Sequence, residues 1–181
     1  LEEAIQELKE TDFKDVFREE LDKKKTFIRD VHVDADVEMH IPDEYVSAIQ
    51  ERLSLYTAMD KIETEEELGK FGEQLRDRFG KLPSQVRELF DGLRLRWVAK
   101  ELGFERIILK DNKLRAYFVE NPQSPYYDSA LFQKVFQHIG SHGERQGLSL
   151  KKTPRSLMFA KDGVKSLKAA RDVLEGIKKA I

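Results

Sequence analysis

The chain has 181 residues, of which 36% are charged, and its formal net charge at pH 7 is −2. This length suits one domain, or one domain with an appendage, and is enough to form a hydrophobic core. The absence of cysteine excludes a disulfide framework and a thiolate metal site, and it agrees with a reducing, cytoplasmic setting. Neither a signal peptide nor an apolar run near 18 residues is found, so we expect no segment to enter a membrane.

The charge is distributed unevenly along the chain. Residues 1–91 hold 25 acidic and 14 basic side chains, whereas residues 92–181 hold 9 acidic and 18 basic ones. Such an asymmetry suggests a contact directed by electrostatics, although a solvated surface explains it as well. The charge pattern alone does not identify a partner.

The first thirty residues suggest an appendage. Leu1, Ile5 and Leu8 form an apolar stripe of helical spacing with no capping residue before it, as in a helix cut from a longer chain. A second amphipathic segment and a charged linker follow. We therefore expect residues 1–30 to be a helical remnant and linker of a preceding domain, and residues 31–181 to form the main domain.

The segment Val31–Ile41 alternates apolar and polar residues over eleven positions, which predicts a strand with one face on the core. His32 and His40 share the other face with three carboxylates, those of Asp34, Asp36 and Glu38. A cluster of histidines and carboxylates is able to bind a cation. The alternative interpretation is a solvated strand face without a ligand.

Two helices with clear boundaries are predicted between Pro42 and Pro83. Apolar residues at steps of three and four mark the inward face of the first helix: Tyr45, Ile49, Leu53, Tyr56 and Met59. Thr64 and Glu67 form a capping box at the start of the second helix. Its predicted inward face comprises Leu68, Phe71, Leu75 and Phe79. Gly80 is placed to end that helix as a left-handed cap.

A long helix is predicted from Pro83 to Leu102, and its broad apolar stripe indicates a central, largely buried position. Gly103 should end it. The segments Phe104–Leu109 and Leu114–Val119 then predict two strands joined by a tight turn at Asp111 and Asn112, since both residues tolerate positive φ.

A short helix is expected from Leu131 to Gly140, followed by a polar loop up to Gly147. The segments Leu148–Lys151 and Ser156–Ala160 predict a second hairpin.

Asp162 is placed to cap a final helix. The strands therefore fall into hairpins that are separated by helices. This order predicts an α+β fold with a mostly antiparallel sheet of about four to five strands, packed with several helices, of which one is long and central.

The sequence offers few groups for catalysis. It contains no glycine-rich phosphate loop, no G-x-S-x-G elbow and no spacing typical of a nucleophile and its base. His138 and His142 are four residues apart, but Gly140 between them should end the helix on which they would share a metal. We therefore expect no catalytic, cofactor-binding or metal-binding residues in this chain.

Asp77 is unusual because it lies near the C-terminal end of a predicted helix, where the helix dipole disfavours an exposed carboxylate. A residue that reduces local stability often serves a function. An ion pair with Arg76 or Lys81 would explain Asp77 without any function. The residues alone leave both explanations open.

The phrases IPDEY, RLSLY and LRDRFGKLP, in this order and spacing, resemble the C-terminal domain of bacterial transcription-repair coupling factors. The resemblance extends from about residue 31 to the end and is strongest over residues 41–103. In that family, a multidomain ATP-driven DNA translocase with a helicase-like motor displaces stalled RNA polymerase and brings in the excision-repair protein UvrA. ATP and magnesium would be bound by the motor, outside this chain, and the parent protein would be cytoplasmic and associated with the nucleoid.

For this part of the protein the resemblance implies a non-catalytic, autoinhibitory role. The domain would pack on the N-terminal UvrB-like module of the same protein and cover the UvrA-binding surface until the motor engages. UvrA would thus be regulated indirectly, and RNA polymerase and DNA would be contacted through the parent protein.

The family motif is close to E-L-x-D-R-F-G, and its acidic members face the basic UvrB-like module. In this chain the motif matches residues 74–80, with Asp77 at the acidic position and Arg78 beside it. Gln74 stands where the family usually has glutamate, so one charge of the contact is missing or has moved to Glu73. The resemblance therefore implies an interdomain interface at Glu73, Gln74, Asp77 and Arg78.

The basic C-terminal segment suggests an alternative function, that of a nucleic-acid-binding module. Residues 145–181 hold ten lysines and arginines against three acidic residues, a clustering that suits phosphate binding. Phe159 is the only aromatic residue of this segment, and it alternates like a core residue rather than a base-stacking one. The candidate basic patch comprises Lys151, Lys152, Arg155, Lys165, Lys168 and Arg171.

Overall fold

A computed structural model of the protein describes residues 27–181. The expected helix remnant and most of the expected linker lie outside the described residues, and the domain boundary near residue 30 stays a prediction. The described part contains five strands and five α-helices, together with a 3₁₀ turn at Pro125–Asp128. Their bounds are β1 His32–Ala35, α1 Ile49–Asp60, α2 Glu65–Phe79, α3 Ser84–Leu102, β2 Phe104–Lys110, β3 Lys113–Phe118, α4 Ala130–Gln146, β4 Leu148–Lys152, β5 Leu157–Asp162 and α5 Leu167–Ala180.

The five strands form one sheet in the order β1-β2-β3-β5-β4. Of the four strand pairings, β1 with β2 is parallel and the other three are antiparallel. The α+β class and the mostly antiparallel sheet are thereby confirmed. The predicted turn is also confirmed, because Asp111 and Asn112 adopt φ of 53° and 56° between β2 and β3. Positive φ at both central residues gives the two strands the twist that a tight hairpin needs.

The predicted eleven-residue first strand is too long, since β1 spans only His32–Ala35. Its last residue, Ala35, pairs with Leu109, and β2 ends one residue later. Beyond that point β2 offers no further backbone for pairing. The backbone amide of Asp36 donates to the carbonyl of Leu109 (3.1 Å), and the chain then leaves the sheet.

The main hydrophobic core lies between one face of the sheet and helices α3, α4 and α5. Phe104, Phe118 and Phe159 fill its centre and are fully buried. Tyr126 is buried beside them, and its hydroxyl donates to the carbonyl of Leu102 (2.7 Å). Burial raises the pKa of the Tyr126 phenol well above its ordinary value, so the group stays neutral and donates this hydrogen bond.

A second hydrophobic core is formed by α1, α2 and the first half of α3. Phe71 and Phe90 contribute rings to it, with centroids 6.1 Å apart. Because α3 also supplies Leu95 and Val98 to the main core, this helix joins the two cores. The predicted long, central helix is therefore confirmed.

The predicted inward face of α1 is confirmed at Met59 and at the partly buried Tyr56, but it is wrong at Ile49 and Leu53. Tyr45 lies in a turn before the helix, and Ile49 and Leu53 are 64% and 54% exposed. Leu55 and Met59 are the buried residues of α1. The reason is that the helix begins only at Ile49, since the segment after Pro42 forms a turn in which the Pro42 carbonyl accepts from the amides of Tyr45 and Val46.

The ends of α2 follow the prediction in part. The side chain of Thr64 accepts from the amide of Glu67 (3.2 Å), and the Glu67 carboxylate accepts from the amide of Glu63 (3.0 Å), so the predicted cap is confirmed. The buried face of Leu68, Phe71 and Leu75 with the partly buried Phe79 is also confirmed. Gly80 has φ 89° but ψ −163°, which is not the left-handed helical cap that the sequence predicts.

Helix α4 is longer than predicted, because it continues through Gly140 and ends at Gly147. The predicted polar loop is therefore helical. A glycine inside a helix costs only about 1 kcal/mol relative to alanine, and the burial of Val135 and Ile139 outweighs that cost.

The final helix begins later than predicted, since Ser166 caps it by accepting from the amide of Ala169 (3.0 Å). Asp162, the predicted cap, ends β5 instead.

None of the helices among residues 27–181 combines the length and the apolar character that crossing a membrane requires.

The junction between α3 and β2 gives the first testable prediction. Gly103 has φ 92°, and a Cβ atom at this position would lie 2.1 Å from the ring of buried Tyr126. Replacement Gly103→Ala should therefore reduce the free energy of unfolding by at least about 2 kcal/mol, from the strained φ and the overpacking together.

Urea denaturation of both the variant and a matched control measures this effect. Gly176 lies in α5, where an added methyl group would have no neighbouring atom within 4 Å. Gly176→Ala should therefore leave stability unchanged or raise it by about 0.5–1 kcal/mol. Equal stability of the two variants would contradict the packing described for Gly103.

Candidate interdomain interface

The four residues of the predicted interface lie on the last two turns of α2, and all of them are exposed. Glu73 and Asp77 are four residues apart, so they share one side of the helix. That side faces away from the buried Leu68, Phe71 and Leu75. The structure therefore brings the predicted residues together, while their contact with another domain stays a prediction.

The carboxylates of Glu73 and Asp77 have no ion pair or hydrogen bond within residues 27–181. In particular, Asp77 forms no ion pair with Arg76 or Lys81 in that part of the chain. The alternative explanation of Asp77, a local ion pair without any function, is therefore not supported there. Like charges four residues apart on a helix, and an aspartate near its C-terminal end, each destabilise the helix by a few tenths of a kcal/mol.

Arg78 is engaged within the domain. It forms an ion pair with Glu51 of α1, and its guanidinium lies 4.8 Å from the centroid of the Phe79 ring. Arg78 thus connects α1 and α2. Among the four predicted residues, it is the one with a defined structural contact in the described part of the chain.

Helix α1 adds an apolar element that the sequence interpretation misses. Ile49 and Leu53 are four residues apart on one side of α1, and both are largely exposed. The sequence assigns them to the core because they continue a helical stripe from Tyr45. Leu55 lies four residues before the correctly predicted Met59, and this spacing is the available signal that the buried side of α1 is rotated away from Ile49 and Leu53. Together they form a small exposed apolar patch on α1.

Both ends of α2 are held in place. At its C-terminal end, the hydroxyl of Tyr45 lies 3.1 Å from the carbonyl oxygen of Leu75 and 2.8 Å from that of Gly80. At its N-terminal end, the guanidinium of Arg94 on α3 donates three hydrogen bonds to the Glu65 carboxylate (2.6, 2.8 and 3.2 Å). These hydrogen bonds, more than the attraction between the charges, lower the pKa of Glu65. The exposed side of α2 is therefore a fixed surface.

The Glu65–Arg94 pair gives a testable prediction. Because the pKa of folded Glu65 lies below its ordinary value of 4.5, the pair stabilises the fold above that pH and the contribution is lost as the pH falls further. Glu65 is 65% exposed, so Glu65→Gln should reduce the free energy of unfolding at pH 7 by only about 0.2–1 kcal/mol.

Denaturation at pH 7 and at pH 3 measures the free energy of unfolding of Glu65→Gln and of the unmodified chain. The difference between the two should be smaller at pH 3. Glu66→Gln is the matched control, because Glu66 occupies the same helical turn and pairs only with exposed Lys70 within the described residues. A larger loss for Glu66→Gln than for Glu65→Gln would contradict the role assigned to Arg94.

The six residues of the predicted basic patch fall into two groups. Lys151 and Lys152 lie at the end of β4, with Arg155 in the turn that follows, whereas Lys165 and Lys168 flank the start of α5. The length of β5, roughly 17–20 Å at 3.3 Å per residue, separates the two groups.

Arg171, the sixth of these residues, lies farther along α5, where its charge lowers the pKa of Glu65. The candidate basic patch is thus divided between the β4–β5 hairpin and the region of α5, and its binding of nucleic acid stays a prediction.

The two histidines of α4, His138 and His142, lie on one continuous helix, whereas the sequence predicted a helix end between them. Because the helix continues through Gly140, the rings of His138 and His142 stack with centroids 5.1 Å apart. Within the described residues, however, no group of three or more histidine, cysteine, aspartate or glutamate side chains is placed to hold a metal ion. A zinc site needs three or four protein ligands, so this pair has no complete ligand set there.

The carboxylates near β1 take part in internal contacts. Asp34 forms an ion pair with Lys110 (2.9 Å), and a carboxylate oxygen of Asp36 accepts from the amide of Asp111 (2.9 Å). A groove of about 620 Å³ lies nearby, between β1, α1 and α3, and His32 lines it, but Asp34 and Asp36 do not. The structure thus assigns these two carboxylates to the anchoring of β1, rather than to a cation site with the histidines.

The architecture has a counterpart among solved structures. The crystal structure of the C-terminal domain of a transcription-repair coupling factor aligns with a TM-score of 0.59 over 86% of this chain and 97% of that chain. At 19% sequence identity this comparison shows a shared fold. The protein is therefore an α+β domain of the kind found at the C-terminus of transcription-repair coupling factors.

Sequence comparison identifies the family. The model of the TRCF domain matches residues 35–129, and the chain belongs to the TRCF domain family. It is 34% identical over 119 residues to the transcription-repair-coupling factor of Escherichia coli (strain K12), covering 62% of this chain and 10% of that protein. It is 25% identical over 140 residues to that of Bacillus subtilis (strain 168), covering 75% of this chain and 12% of that protein. The chain thus spans about a tenth of the length of these curated relatives.

Proposed function

We propose that this chain is the non-catalytic regulatory domain of a transcription-repair coupling factor, an ATP-driven DNA translocase that acts on stalled RNA polymerase in DNA repair. The domain packs on the N-terminal UvrB-like module of the same protein and masks the UvrA-binding surface until the motor engages. The observation that carries this proposal is the pair of exposed carboxylates of Glu73 and Asp77, without partners among the described residues, on a helix fixed at both ends. ATP, magnesium, RNA polymerase and DNA are bound by other parts of the parent protein.

The energies suit a contact that must open. Each exposed ion pair between α2 and a basic partner should contribute about 0.2–1 kcal/mol and weaken with salt. Ile49 and Leu53 are 64% and 54% exposed, so covering them fully would add about 1–2 kcal/mol each. A few kcal/mol in total holds the domain closed in the resting protein and still allows a working motor to release it.

Gln74 fits this arrangement. The loss of one carboxylate at that position leaves Glu73 and Asp77 as an acidic pair on the same side of α2. The contact therefore retains two negative charges. Arg78, which pairs with Glu51, supports the contact by holding α1 and its two apolar residues beside α2.

Charge reversal tests the masking of UvrA. In the full-length protein, Asp77→Arg should raise UvrA binding in the absence of DNA by roughly two- to fivefold, because it replaces an attractive pair by a repulsive one. The double variant Glu73→Arg/Asp77→Arg should raise it by about tenfold. Asp172→Arg reverses an exposed carboxylate on α5 and should leave UvrA binding unchanged. Unaltered UvrA binding by the double variant would reject the proposed interface.

Direct binding tests the contact itself. The 181-residue chain should bind the separately produced UvrB-like module, with an affinity that falls as salt rises. Ile49→Ser/Leu53→Ser should weaken this binding by about tenfold without changing its salt dependence, since it removes apolar contact and no charge. Isothermal titration calorimetry at two salt concentrations measures both effects. Binding that is independent of salt and of these substitutions would place the contact on another surface.

A further inference from the structure

The sheet has a second face, on which the central residues Met158 and Ala160 are buried and the surrounding polar residues are at least partly exposed. The strand registers pair Arg106 with Tyr117, Tyr117 with Met158, and Met158 with Lys151, so these four residues form one row across β2, β3, β5 and β4. None of them belongs to either hydrophobic core of the described residues. The row therefore lies on the face turned away from α3, α4 and α5, which we call the outer sheet face.

Arg106 is prepared to bind an anion. Its guanidinium stacks on the ring of Tyr117, 4.2 Å from the centroid, and its Nε atom is buried without a hydrogen-bond partner in the described residues. A partly buried guanidinium that lacks a carboxylate partner is unfavourable in the free protein. The Arg106 side chain as a whole is partly exposed and forms no ion pair within the described residues, so an anionic ligand on the outer sheet face would neutralise its charge.

The cations of this face are arranged unequally. At the end of the sheet near the β2–β3 turn, Lys110 pairs with Asp34 (2.9 Å) and Lys113 pairs with Asp162 (3.7 Å). Toward the other end, three cations form no ion pair with any described residue, namely Arg106, Arg115 and Lys151. The uncompensated positive charge is therefore concentrated around Tyr117.

The shape of this face suits an extended chain. Three strand spacings of about 4.8 Å place the backbones of Arg106 and Lys151 about 14 Å apart, enough for several backbone charges of a single strand. Between them lie Tyr117, which is partly exposed, and Met158, which is buried with 5% of its surface exposed. Aromatic rings and guanidinium planes are the groups on which unpaired bases stack.

We propose that the outer sheet face binds single-stranded nucleic acid, with Arg106, Arg115 and Lys151 on the phosphates and the stacked Arg106–Tyr117 pair against a base. This activity goes beyond the proposed masking of UvrA and uses none of the residues of α2. The two proposals can therefore fail independently. An acidic protein segment is the competing occupant, but it has no use for the stacked planar pair.

Fluorescence anisotropy of the complete chain with a labelled 15-nucleotide oligothymidylate tests the proposal. Binding at low salt should weaken as salt rises, with a slope of log K against log[salt] near −2, because each of three neutralised phosphates contributes about −0.7. The triple variant Arg106→Gln/Arg115→Gln/Lys151→Gln should lose at least tenfold in affinity and most of this slope.

The matched control is Lys165→Gln/Lys168→Gln/Lys179→Gln, which removes the same charge from exposed positions around α5. It should bind like the unmodified chain. An equal loss in both triple variants would overturn the proposal, because the attraction would then be one of net charge rather than of this face.

Tyr117 separates stacking from charge. Tyr117→Phe should retain binding, whereas Tyr117→Leu should lose about fivefold or more. Thermal unfolding of each variant checks that the fold is kept. The single variant Arg115→Gln, at a partly exposed position, provides a second test of oligonucleotide binding that leaves the stacked Arg106–Tyr117 pair unchanged. Equal affinity of the Phe and Leu variants would overturn the role of stacking.

Competition identifies the occupant. An oligoglutamate peptide of equal charge should displace the oligonucleotide poorly, and a duplex of the same length should bind more weakly. Efficient displacement by the peptide would overturn the proposal in favour of an acidic protein partner, and stronger duplex binding would also overturn it. An oligouridylate of the same length distinguishes RNA from DNA as the source of the strand, and binding of either supports the proposal.

Discussion

The structure depends on the burial of α3 on two sides. The first half of this helix packs Val86, Phe90 and Leu93 into the core shared with α1 and α2, and its second half packs Leu95 and Val98 against the sheet. A single rigid helix therefore fixes the position of the α1–α2 pair relative to the sheet. The polar contacts that α2 makes at its two ends then set its orientation, but each of them is worth far less than the apolar burial that precedes them.

This arrangement places two surfaces of opposite charge on separate elements of one small domain. The carboxylates of Glu73 and Asp77 lie on α2, next to the second core, whereas Arg106, Arg115 and Lys151 lie on the outer sheet face. The charge asymmetry between the halves of the sequence thus becomes a spatial separation. Both surfaces lack partners for their charges within the described residues, which is the property expected of surfaces that meet another molecule.

Local signals predicted much of the fold. Asp111 and Asn112 tolerate positive φ, and Thr64 with Glu67 completes a cap within one turn, so these features follow from adjacent residues. The predictions failed where distant residues decide. The stripe through Ile49 and Leu53 has helical period, yet these two residues are exposed, because the segment after Pro42 forms a turn and the helix begins only at Ile49. The middle of α4 stays helical through its glycine because the neighbouring apolar residues are buried against the core.

The candidate sites show the same division. The sequence by itself determined the chain's family, its α+β class, the buried side of α2 and therefore the exposure of Asp77, because each follows from motifs or from the period of one helix. Only the tertiary structure decided that the basic residues of the C-terminal segment separate into two groups. It alone also decided that Arg106 stacks on Tyr117, since the register of neighbouring strands, rather than distance along the chain, brings those side chains together.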